Sequence, residues 1–258
     1  GGGRGDDRNH VSGRILLAEA TATQTLSSVC SETDCYVQYG AALSSLGTFP
    51  GGVTCICYPE LEHFTGSISL ISITTLELAL FPKLLTVSGG VDVHSNAALH
   101  TLDLSSITSI GGSISILTNA LLSSLGTAPA FGNLATLGGY IAVQHTLVPG
   151  VLDFSKLTAA VSGNVNIKSN SALTAVDLRN VPSITGTLDV QSNPVLATLD
   201  VCMLTSHGGI TISSNGSPFT CSALLPGLHA SCGPVGCNTV TATQTLSSVC
   251  SETDCYVQ

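Results

Sequence analysis

A glycine followed by an alternating aliphatic strand returns again and again along this chain. The segments are GSISLISI from Gly66, GGVDVHSN from Gly89, GSISILTN from Gly112, GYIAVQHT from Gly139, GNVNIKSN from Gly163, GTLDVQSN from Gly186 and GGITISSN from Gly208. Successive glycines are 23, 23, 27, 24, 23 and 22 residues apart. A period in the twenties points to a solenoid, in which each coil buries its apolar side on its neighbours.

The second and fourth residues after each glycine are aliphatic, from Ile68 and Leu70 to Ile210 and Ile212. The residue between them is small or polar: Ser69, Asp92, Ser115, Ala142, Asn166, Asp189 and Thr211. Period-two alternation rich in β-branched side chains predicts a half-buried strand in every coil. Asn96, Asn119, Asn170, Asn193 and Asn215 close that strand at one fixed place. Asparagine tolerates left-handed backbone and can bond its own turn, so this column is expected to form structural turns. A second strand follows in LHTLDL (Leu99–Leu104), LTAVDL (Leu173–Leu178) and LATLDV (Leu196–Val201), and no amphipathic helix pattern intervenes. The expected fold is all-β: a parallel β-solenoid of about seven coils of 22–27 residues, with cysteine-rich caps.

The run GxLxIxxNxxLxxLDLxxLxxI resembles the repeat of receptor L domains, and is especially similar to its Ser/Thr-rich version in fungal cell-wall, GPI-anchored glycoproteins. The resemblance covers about residues 66–215. It implies a right-handed leucine-rich β-solenoid in an extracellular or cell-surface setting, with either a protein-binding or a structural role.

Composition narrows the function. Only 9% of residues are charged, aromatics make up 4% and Trp is absent, so the core is expected to be built from small aliphatic side chains. The net charge of −9, with Arg4, Arg8 and Arg14 all near the N-terminus, argues against a nucleic-acid partner. No apolar run has the length of a membrane span. The ten cysteines fall into two groups: Cys30, Cys35, Cys55 and Cys57, then Cys202, Cys221, Cys232 and Cys237, with Cys250 and Cys255 repeating Cys30 and Cys35. Disulfide staples at both ends fit this better than scattered thiols or a zinc site.

TATQTLSSVCSETDCYVQ occurs at Thr21–Gln38 and again, letter for letter, at Thr241–Gln258, an offset of 220 residues. The chain therefore divides into an arm or linker (1–20), an N-terminal cap (21–65), solenoid repeats (66–207), a C-terminal cap (208–240) and the start of a second copy of the module (241–258). Two explanations fit: a tandem array of near-identical modules, or a local duplication that shields the C-terminal end.

Glu77, Asp103, Asp153, Asp177 and Asp200 are expected at one place in the second strand, with Gly126 replacing the acid in the 112–138 coil. Coils stacked about 4.8 Å apart make neighbouring carboxylates repel. Water, turn N–H donors or a divalent cation could relieve this. Asp153, Asp177 and Asp200 are the candidate Ca²⁺ ligands, and no other cofactor is expected. Clustered acids also serve polysaccharide-cleaving solenoids. Here four Lys/Arg remain outside the N-terminal arm, and no catalytic motif accompanies the acids, so an enzyme is not expected. His10, His94, His145 and His207 are scattered, Asn215-Gly216-Ser217 is a glycosylation sequon, and the RGD at Arg4–Asp6 is a weak integrin motif.

The expected function is an extracellular structural module stacking end to end with its own copies into a filament, wall layer or appendage. The competing expectation is a recognition module that binds a glycan or protein on the polar strand face.

Overall fold

The computed structural model describes residues 35–126, 129–216 and 220–223. These form an all-β parallel solenoid of about eight turns, with no helix among the described residues. Each turn contributes to three faces. The longest face is a seven-stranded sheet running from Ile68–Ile71 through Val91–His94, Ile114–Asn119, Ile141–Thr146, Val165–Lys168 and Ser183–Gln191 to Ser206–Ser213. A second face holds two four-stranded sheets. One is built from Cys35–Val37, Cys55–Cys57, Leu78–Leu80 and Thr101–Asp103, the other from Gly150–Asp153, Leu173–Asp177, Thr198–Val201 and Thr220–Ala223. The 112–138 coil meets these two sheets at the isolated bridges Thr101 to Ser124 and Ala130 to Leu152. A third face of two-residue strands runs from Ala42–Leu43 to Thr136–Leu137.

The aliphatic alternation dictates this stacking. Ile68, Val91, Ile114, Ile141, Val165, Leu188 and Ile210 pair in register, one above the next. The first six of these are fully buried. A slip of one residue would turn every such column to solvent, so the pattern fixes the register. The recurrent glycines mark a corner where coils approach too closely for a side chain. A Cβ on Gly138 would lie 1.9 Å from Gly111 O, and one on Gly111 would lie 2.1 Å from Ser88 O.

The solenoid starts earlier than the glycine pattern indicates. Residues 35–64, expected as a cap, already pair as coils: Cys35–Val37 runs parallel to Cys55–Cys57, and Ala42–Leu43 to His63–Phe64. The Cys35–Cys55 disulfide joins two register partners across a separation of 20 residues. Closing a loop of that length restricts the unfolded chain by about 3 kcal/mol in the chain-entropy view. Cys57 and Cys202 are also disulfide-bonded. The described part of the expected C-terminal cap likewise continues the stack, with Thr220–Ala223 paired to Thr198–Val201. Cys30, Cys232, Cys237, Cys250 and Cys255, the side chain of Cys221, the arm at 1–20 and the second copy at 241–258 lie outside the described residues.

The core is not purely aliphatic. Tyr58 stacks on Phe81 with ring centroids 5.2 Å apart, and Phe131 stacks on Phe154 at the same separation. All four rings are buried. They occupy one recurrent place, since each accepts an N–H bond from the residue three positions on: Leu61, Leu84, Leu134 and Leu157. These four aromatics are thus stacked in pairs inside the coils.

Candidate functional site

Two polar columns run along the solenoid, and the sequence singled out both. The first is the acid column of the second face. Asp153, Asp177 and Asp200 are register partners in adjacent coils. Asp103 lies in the same column, and its Oδ1 fills the space that a Cβ on Gly126 would need, at 2.2 Å. Glu77 does not belong there. Leu80 pairs with Asp103, and Glu77 sits three residues earlier, so the expectation for Glu77 is corrected. The signal was present: each column acid lies fourteen residues after its glycine, and counting from Gly66 reaches Leu80.

Each aspartate first binds its own turn. Ser105 N donates to Asp103 Oδ1 at 3.0 Å, Ser155 N to Asp153 Oδ1 at 2.8 Å, Arg179 N to Asp177 Oδ1 at 3.1 Å and Cys202 N to Asp200 Oδ1 at 3.2 Å. The remaining negative charge meets a guanidinium. Arg179 Nε donates to Asp177 Oδ1 and Oδ2 at 2.9 and 2.8 Å, its Nη2 pairs with the same carboxylate, and Nε lies 3.6 Å from Asp200 Oδ2. The Asp177 hydrogen bond, with the charges of Asp177, Asp200 and Asp153, raises the Arg179 pKa although burial opposes it. Burial also pushes the Asp200 carboxyl above the usual carboxylate range, and Asp177 adds to this.

Of the expected Ca²⁺ ligands Asp153, Asp177 and Asp200, the last two face the chain's own Arg179. Among the described residues no group of three acidic, His or Cys side chains is arranged to hold a metal ion. Arg179 was missed because it was weighed only as one of few basic residues. Its place two residues after Asp177, at the tip of the aspartate's own turn, was the available clue.

The second column is the asparagine ladder. Asn96, Asn119, Asn170 and Asn193 are fully buried. Each amide reaches back to an earlier coil: Asn96 Nδ2 to Leu70 O, Asn119 Nδ2 to Val93 O, Asn170 Nδ2 to Val143 O and Asn193 Nδ2 to Ile167 O, at 2.8–2.9 Å. Each Oδ1 accepts the backbone N–H at the same place in the preceding coil. Ile73 N binds Asn96, Asn96 N binds Asn119, Asn170 N binds Asn193 and Asn193 N binds Asn215. Thr146 takes the slot in its coil and donates Oγ1 to Asn170 Oδ1 at 2.8 Å.

These asparagines are not themselves left-handed, which corrects the reason given for the column. The positive φ falls one residue earlier, at Ser72, Ser95, Thr118, His145, Ser169, Ser192 and Ser214, with values of 53–60°. That kink turns the next side chain inward, where the amide serves the coils on both sides. Asn215, the sequon residue, is a rung of the same ladder. Its Nδ2 donates to Val190 O at 2.9 Å and its Oδ1 accepts from Asn193.

The long sheet presents two outward rows. Ser69, Asp92, Ser115, Ala142, Asn166, Asp189 and Thr211 form one; Ile71, His94, Leu117, Gln144, Lys168, Gln191 and Ser213 form the other. Lys168 pairs with Asp189 on this face. His94 has Leu117 as its register partner while His145 stands at a corner, so the histidines do not gather. No helix among the described residues is long and apolar enough to cross a membrane.

Set against known protein families, curated proteins and solved structures, the chain matches none.

Proposed function

We propose that this chain is an extracellular structural module that stacks end to end with copies of itself into a filament, wall layer or surface appendage. The observation that carries the reading is the exact recurrence of Thr21–Gln38 at Thr241–Gln258. The first copy ends in Cys35–Val37, a strand of the solenoid whose cysteine is bonded to the next rung. The second copy carries the same strand sequence, which is what the opening of a further solenoid requires.

Physical considerations support it. A solenoid offers strand edges and apolar coil faces at both ends, which stacking would cover. A head-to-tail contact that repeats without closing generates a filament. Disulfides suit an oxidising compartment, and the resemblance to wall glycoproteins agrees with that setting. The acid column, occupied by turn N–H groups and Arg179, is put to structural use.

Negative-stain electron microscopy of native material purified without reductant tests the reading. Filaments with an axial repeat of one module are expected. Isolated particles at all concentrations would make the second copy a local shield instead of a joint.

A further inference from the structure

The outward face of the long sheet is recessed at one place. Ser115 and Ala142 belong to its outward row, yet they are only 6% and 4% exposed. Their small side chains form the floor of an open depression of about 380 Å³, walled by Tyr140, Asn164, Asn166 and Gln144 among others. Tyr140 is 41% exposed, the ring of a residue at the glycine corner. It stands against Gly163, where an added Cβ would lie 3.1 Å from Tyr140 Cβ. Asn164 is fixed beside it, since its Oδ1 accepts Thr187 N at 2.9 Å.

The lining has a definite chemistry. None of its side chains is charged. The amides of Gln144 and Asn166 make no hydrogen bond within the described residues, so each offers a donor and an acceptor to a guest. An aromatic face and uncharged amides over a small-residue floor suit a neutral, polyhydroxylated ring. A charged ligand would find no counter-ion in the lining. Coils spaced about 4.8 Å apart also repeat at close to the length of one sugar unit in an extended chain.

We infer that the depression over Ser115 and Ala142 binds a neutral oligosaccharide, with one sugar ring on Tyr140 and its hydroxyls bonded to Gln144 and Asn166. This gives the recognition reading of the polar face a locus and a ligand class. It is independent of end-to-end stacking, because the depression lies on the side of the solenoid.

Calorimetric titration of the full chain, purified without reductant, with cellohexaose, laminarihexaose and chitohexaose is the test. At least one of these uncharged oligosaccharides is expected to bind, and Tyr140→Ala to weaken it about ten-fold or more, with an unchanged circular dichroism spectrum. Gln144→Ala, which removes no structural hydrogen bond, is a second variant expected to weaken binding should Tyr140→Ala disturb the fold. No binding of any of the three at millimolar concentration overturns the inference. So does binding that both variants leave intact. Filament formation in electron microscopy is read separately and does not bear on the outcome.

Discussion

The asparagine ladder and the aspartate column solve one problem in two ways. Both place a polar side chain at the same point of successive coils, at the spacing of a β-ladder. An amide both donates and accepts, so a column of amides can bond along itself. Asn96, Asn119, Asn170 and Asn193 do this while fully buried. A carboxylate only accepts, and its neighbour in the stack repels it. Asp153, Asp177 and Asp200 therefore take donors from their own turns, and Asp177 and Asp200 share one guanidinium, in a half-buried position. A self-complementary group can line the interior of a repeat indefinitely. A like-charged group needs an outside partner and stays near the surface.

Exchanging the two chemistries breaks the comparison most severely. Asn170→Asp removes the donor to Val143 O and buries a carboxylate beside Asn193 Oδ1. Denaturant unfolding at neutral pH should show a loss of about 3–5 kcal/mol. Burial raises the pKa of the new carboxyl, so the loss should shrink as the pH falls below it. Asn170→Ala should cost about 2–4 kcal/mol, because it orphans Val143 O and Thr146 N without burying a charge, and should show no such relief in acid. Equal pH dependence of the two variants would contradict the donor argument.

A smaller effect is expected on the outer column. Arg179→Met leaves Asp177 and Asp200 without their common cation, yet the turn N–H bonds remain and solvent is near. Urea unfolding should register a loss of about 1 kcal/mol, and added salt should reduce the difference from the parent protein.

Asp200→Asn should have the smallest effect, within about 0.5 kcal/mol at neutral pH, since the amide oxygen can still accept Cys202 N. The Asp200 pKa is raised in the fold. Its contribution is therefore fully present below the unfolded-state pKa and lost as the pH rises through the folded value. The variant's melting temperature should accordingly gain less on acidification than that of the parent. A gain as large in both would remove Asp200 from the account.

Much of this was legible before any coordinates. The aliphatic columns set the register because one-residue slips expose the core, and the long sheet follows from them residue by residue. The coil at 35–64 was hidden because its strands are two or three residues long and carry no aligned glycine. Glu77 was misplaced because LEL resembles LDL locally, while the pairing follows distance from the corner. The partners of the polar groups lie in other coils. Asn170 meets Val143 and Asn193, 27 and 23 residues away, and no local pattern names such contacts. Tyr140 was read only as part of a strand entry, since the depression beneath it depends on the small residues of two coils.

The coil-on-coil stacking has a mechanical corollary. Each turn is bonded chiefly to the turns before and after it, so tension on the two ends would unspool the chain like thread from a bobbin, one turn at a time. Releasing a turn of 23 residues frees up to about 80 Å of extended chain in exchange for a single coil height. The segment between Cys35 and Cys55 is an exception, since its bond closes that turn into a ring that cannot pay out. A fibre of such units would yield stepwise under load while its covalently closed turns stayed wound.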